Sequence, residues 1–335
     1  MSEDPYEHKT DIQILDEIEN LYIMSPDAYE NNNYEFGKGG TVNYYTGDTY
    51  ERLVENKKMY RDELEIYDKY PVTYKLNKQG FRSDIEDYTN LYDQEVEIIL
   101  GCSFTFGIGF NLEHTWPVIL DNLLEQKKVP KINLSIPGTG GDTAFRLLAT
   151  YLNKFKKIKR IIHLQPFYAR FEILSEKIAL NFHATEVEDN PDVGKHFTKL
   201  HKQECLVNRR THIVNHIKNI SACKGLADLN NIPYHYLPLG HSVLPDNLYE
   251  IHARDIIHGG FTGQFNIAYT FAKKINNEDT RVDLSSNGAD HFGNSDNTEG
   301  YIEKFPEESF IDYVKNNSEV LKFYPNAFYS KFNHI

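Results

Sequence analysis

Between residues 95 and 275 short apolar runs alternate with longer stretches of helical spacing, and this alternation constrains the fold more than any other feature. Glu95–Leu100 (EVEIIL) ends in a continuous apolar run, the mark of a strand buried on both faces. KINLS at 131–135, RIIHLQ at 160–165 and PYHYLPL at 233–239 are further strand candidates. Helical spacing fills the intervals at 113–126, 142–155, 206–229 and 263–275. Pro117 suits a first helical turn with Thr115 or His114 as its cap, and Asp142 is the expected N-cap of the second helix. Strand and helix in strict alternation predict a parallel sheet covered on both faces.

The flanks carry weaker pattern. Residues 1–71 are acidic and rich in Tyr and Asn, and read as an irregular N-terminal extension. VTYKLNKQGFR at 72–82 alternates and then turns at Gly80, which predicts a short strand or hairpin arm. The domain proper is expected over 72–275, with an irregular stretch at 170–204, and 276–335 reads as a polar, aromatic C-terminal extension.

Composition excludes several function classes. The 335 residues include 36 Lys and Arg against 49 Asp and Glu, a formal charge of −13. A nucleic-acid binder needs a basic footprint, and so does attachment to an anionic membrane; neither partner is expected. The charge mildly favours a neutral or cationic substrate. Cys102, Cys205 and Cys223 are too few and too scattered for a disulfide framework or zinc cluster. His183, His196, His201, His212 and His216 form no recognised ligand pattern, although the last two have i, i+4 spacing; no metal and no cofactor are expected. The start MSEDPYEHKTDIQ lacks a secretory pattern, and apolar runs fall far short of a membrane span, so a soluble cytoplasmic protein is expected.

In open parallel sheets ligands bind beyond the carboxyl ends of the strands, so the residues after each strand are the ones to inspect. After EVEIIL comes Gly101-Cys102-Ser103-Phe104-Thr105-Phe106-Gly107, a serine on a glycine-flanked turn. After KINLS comes Ile136-Pro137-Gly138-Thr139-Gly140-Gly141-Asp142, whose backbone N–H groups can donate into a cleft. After the last strand comes Ala253-Arg254-Asp255-Ile256-Ile257-His258-Gly259-Gly260. Asp and His three apart on one turn can set a carboxylate against Nδ1 and leave Nε2 to take a proton from a hydroxyl.

Together these segments resemble the SGNH (GDSL-type) hydrolases. GCSFTFG is similar to their first block, G-x-S-x-T-x-G; NLSIPGTGGD is similar to the second, and ARDIIHGG to the last, D-x-x-H. YKLNKQGFR resembles an N-x-x-G-F-R lead-in found in a subset. The resemblance implies a three-layer α/β/α sandwich of flavodoxin-like topology and ester hydrolysis through an acyl-serine. It makes Ser103 the nucleophile, His258 the general base and acid, Asp255 its orienting partner, and the N–H groups of Ser103 and Gly138 the oxyanion donors. Two departures stand out. Cys102 replaces the usual Asp before the serine, where a small buried filler is expected. The third-block Asn is missing from HLQPFYARFE, leaving Gln165 or Arg170 to replace it. Losing one such donor costs about 10²–10³ in rate. Asn287-Gly288-Ala289-Asp290-His291-Phe292-Gly293 is a rival last block, with Asp255 and His258 preferred because their spacing is intact. The expected substrate is a small ester, such as an O-acetyl group on a glycan. The alternative is an SGNH-fold binding or assembly module without turnover. Aromatic termini such as YPNAFYSKF at 324–332 are expected to pack across the domain or form a homo-oligomer contact.

Overall fold

The structure is a computed structural model that describes residues 22–24, 39–45, 47–124, 128–168, 170–174, 178–183, 209–239, 253–256, 258, 260–282, 305–317 and 320. Its strands in chain order are β1 (Tyr22–Met24), β2 (Gly40–Val42), β3 (Tyr74–Leu76), β4 (Glu95–Leu100), β5 (Lys131–Asn133), β6 (Lys157–Gln165), β7 (Arg170–Leu174), β8 (Ile178–His183) and β9 (Tyr234–Pro238). Its helices are α1 (Tyr50–Asn56), α2 (Arg61–Leu64), α3 (Ile66–Lys69), α4 (Ser103–Phe106), α5 (Trp116–Leu123), α6 (Gly141–Leu152), α7 (Arg209–Leu229), α8 (Phe261–Asn276) and α9 (Glu307–Asn316).

The central sheet is parallel, in the order β5-β4-β6-β9. Numbered within this sheet, that is second, first, third, fourth, the flavodoxin-like winding. Period-two alternation divides its side chains between two cores. Ile99, Ile162, Leu164 and Leu237 face one way, into a core shared with Trp116, Ile119, Leu120, Phe265 and Phe271 of α5 and α8. Val96, Ile98, Leu100, Ile132 and Ile161 face the other way, toward Leu147, Leu148 and Ile220 of α6 and α7. The result is the expected three-layer α/β/α architecture. Glu97 is the one acid buried inside β4, and Arg160 Nε at 2.7 Å and Lys131 Nζ at 3.2 Å compensate it.

Several local expectations needed revision. Thr115 sits at the N-cap position of α5, but its hydroxyl donates backward to Leu112 O at 2.7 Å. Gln264 Oε1 of α8 accepts from Trp116 N at 2.8 Å instead, so the helix start is satisfied from a neighbouring element. The N-cap of α6 is Gly140, not Asp142. Asp142 stands in the first turn, where its carboxylate accepts from Asn215, Asn219 and the backbone N of Glu172. The stretch read as irregular contains an antiparallel pair, β7 with β8, held on α6 by the buried Arg146–Glu172 ion pair.

The arm at 72–82 forms as expected: β3 pairs antiparallel with β2, and Gly80 turns with φ +84°. In the segment before it, Tyr45, Leu53, Leu64 and Tyr67 cluster with Phe106 and Ile108 of the serine loop. After residue 276, α9 lays Phe310, Tyr313 and Val314 into the core of α5 and α8.

Candidate active site

Ser103 lies beyond the carboxyl ends of β4 and β6, the switch point where the chain reverses its direction of travel across the sheet. Gly101 makes the sharp exit from β4 feasible. A Cβ on it would fall 2.0 Å from Thr105 Oγ1, which itself accepts from Trp116 Nε1 at 3.3 Å. Gly107, at φ +80°, ends the single turn of α4 in the left-handed region. Cys102 is fully buried in the core as a free thiol. Ser103 is 4% exposed, and its Oγ makes a weak hydrogen bond to Cys102 Sγ at 4.0 Å.

Asp255 and His258 are hydrogen-bonded to each other, the contact that their spacing predicts. His258 Nδ1 lies 2.5 Å from Asp255 Oδ2, and the His258 backbone N donates to Asp255 Oδ1 at 3.3 Å. The contact engages Nδ1 and leaves Nε2, the other ring nitrogen, outside it. Between them Ile256 has φ +63°, an outlier for a β-branched residue. The Phe104 ring packs 5.0 Å from the His258 ring, bringing the pair against the serine turn. No hydrogen bond joins Ser103 Oγ to His258 among the described residues. Asp290 and His291 lie outside the described residues.

The second loop contributes Gly138 at φ +78°. Beside it Gly140 packs on Arg170, where a Cβ would meet the Arg170 carbonyl oxygen at 2.6 Å. Of the two candidates for the missing donor, Gln165 turns its Nε2 toward His216 Nδ1 at 3.3 Å. Arg170 stacks on Phe167 at 5.5 Å, Phe167 meets Phe104 edge-on at 6.3 Å, and Arg170 Nη1 is buried with no hydrogen-bond partner. The described residues contain no group of three or more His, Cys, Asp or Glu that could hold a metal ion. They also contain no helix long and apolar enough to cross a membrane.

Residues that sequence reasoning passed over support both loops. Arg82 donates to the carbonyls of Phe106, Gly107 and Phe110 behind the serine, and Arg254 ties the Asp255 turn to Asp48. The arginine in GFR was visible as part of the lead-in motif; Asp48 had no local signal.

Fold and site together define a doubly wound α/β protein with a hydrogen-bonded Asp–His pair at the carboxyl edge of its sheet. No family model matches the chain, and no curated protein matches it. Among solved structures it is similar to the psychrotrophic esterase EstA from Pseudoalteromonas sp., inhibited by monoethylphosphonate, at 16% identity over 55% of this chain and 74% of that one, with a TM-score of 0.27. It is also similar to a protein from Desulfitobacterium hafniense described as lipolytic and of the G-D-S-L family, at 16% identity over 55% and 99%, with a TM-score of 0.32. TesA is similar at 13% identity over 68% and 98%, with a TM-score of 0.29.

Proposed function

We propose that the protein is a serine ester hydrolase of the SGNH type. The observation that carries this reading is the Asp255–His258 pair, closed at 2.5 Å and packed against the turn that bears Ser103. In the reaction His258 Nε2 takes the Ser103 Oγ proton as Oγ attacks the ester carbonyl. Asp255 holds the Nδ1 proton and stabilises the imidazolium. The backbone N–H groups of Ser103 and Gly138 bind the oxyanion, and Arg170, with a free buried donor, takes the place of the missing Asn. The imidazolium then protonates the leaving alcohol, and a water activated by His258 releases the acid from the acyl-serine. Apo hydroxyl–imidazole geometry is commonly open and tightens when substrate binds. The near-closed setting of Ser103 supports a small acyl group, such as acetyl on a glycan.

A fluorophosphonate probe and p-nitrophenyl acetate test the reading. Wild type should be labelled and turn over, and Ser103→Ala should lose both. Arg170→Met should retain labelling but lower kcat about 10²–10³-fold, the cost of losing one oxyanion donor. A folded wild type that takes no label would instead favour the binding-module reading, which the Ser103 Oγ–Cys102 Sγ contact supports.

A further inference from the structure

The Asp255 turn is tethered to a segment far from it in the chain. Arg254 and Asp48 are 2% and 1% exposed. Arg254 Nε donates to Asp48 Oδ1 and Oδ2 at 2.9 and 3.0 Å, and Nη2 donates to Oδ2 at 2.7 Å. The rest of the fork is used as well: Nη2 reaches Asn43 O at 2.5 Å and Nη1 reaches Val72 O at 3.3 Å. The guanidinium lies 4.6 Å over the Tyr44 ring. Tyr74 Oη donates to Asp48 and accepts from Gly109 N at 2.8 Å, so the same carboxylate is linked to the serine loop. Arg254 N donates to Gly109 O at 3.1 Å, and Asn56 Nδ2 donates to the Asp255 carbonyl at 3.0 Å. Burial pushes the Asp48 carboxyl above its ordinary value, opposed by hydrogen bonds from Arg254 and Tyr74.

Such an arrangement costs more than stability alone would require. Buried ion pairs are weak sources of stability, because desolvation offsets most of the attraction. What a bidentate fork does supply is fixed geometry. Here the fixed object is the residue immediately before Asp255, on a turn already carrying a left-handed isoleucine.

We infer that Asp48 and Arg254 are positioning residues, which with Tyr74 and Asn56 hold the Asp255–His258 turn in register with the serine loop. This rests on the hydrolase reading for its catalytic meaning, though not for its geometry. Both side chains are buried, and they act through the Asp255 turn and Gly109.

The test uses the full chain with Asp48→Asn, Arg254→Lys and Asn56→Ala. Each variant is followed by thermal melting, by the rate of fluorophosphonate labelling, by kcat and KM on p-nitrophenyl acetate, and by the NMR resonance of the His258 Nδ1 proton. A misplacement of about 1 Å costs about 100-fold in rate. Asp48→Asn should therefore lose about 10–100-fold in kcat with KM little changed. Arg254→Lys keeps the cation but loses the fork, and should fail to restore kcat. Asn56→Ala breaks only the outer tether; it should lose about threefold and shift the resonance without lowering the melting temperature. If Asp48→Asn does not fold, Arg254→Lys and Asn56→Ala decide. Folded variants with wild-type rates and an unmoved resonance overturn the inference. If wild type itself takes no label, the hydrolase reading fails, and the His258 resonance alone decides whether the tether holds the turn.

Discussion

Arg82 shows how much one side chain contributes to shaping the serine loop. Its Nη1 donates to Phe106 O and Gly107 O at 2.8 and 2.6 Å, and its Nη2 to Phe110 O and Thr73 O at 2.5 and 3.2 Å. Its faces lie against Tyr74 and Phe106 at 4.5 and 5.5 Å. Burial draws its pKa down to about 10, still far above neutrality, so it remains a cation. Arg82→Met should cost about 3–5 kcal/mol in urea unfolding, because it leaves several carbonyls in the loop without donors. Arg82→Lys should recover little, since an ammonium cannot span the same carbonyls. Gly109 offers a second check. At φ +81°, a Cβ there would fall 2.7 Å from Arg254 N, so Gly109→Ala should cost about 1–3 kcal/mol and slow Ser103 labelling.

At the scale of elements, what could be read from the chain depended on whether the stabilising contacts were local. β4 was legible because EVEIIL is buried on both sides and therefore apolar throughout. The Asp255–His258 relation was legible because both groups sit on one turn. α9 was not, since its apolar residues Phe310, Tyr313 and Val314 are few and set among charges, and its place comes from α5 and α8. Phe310 is buried against Phe261, Phe265 and Phe305. Phe310→Ala should therefore destabilise the protein by about 3–5 kcal/mol, measured as a lower denaturation midpoint at unchanged slope. The Asp48–Arg254 tether was invisible for a related reason: its partners stand 206 positions apart, and neither is unusual among its neighbours.

For the whole molecule, two buried imidazoles, His163 and His216, contribute to the response to acid. His163 and His216 are held by burial at pKa values of about 3 and about 4, against an ordinary value of 6.5. Below 6.5 the unfolded chain takes up protons that the folded one refuses. The stability these two groups contribute is thus fully present above about pH 6.5 and declines as pH falls toward 4 for His216 and 3 for His163. The slope is about 1.4 kcal/mol per pH unit for each group. Urea midpoints at pH 7.5, 6 and 5 should show the decline. His163→Gln should make the decline shallower, leaving the His216 share, while keeping a hydrogen bond to Tyr234, whose hydroxyl lies 2.6 Å from His163 Nδ1.

For the proposed hydrolase, the burial of Ser103 has a consequence for how esters compete. With Ser103 only 4% exposed, bulk beside the carbonyl must be accommodated in a narrow approach to the hydroxyl. Across an ester series, turnover should therefore fall as the groups flanking the carbonyl grow wider.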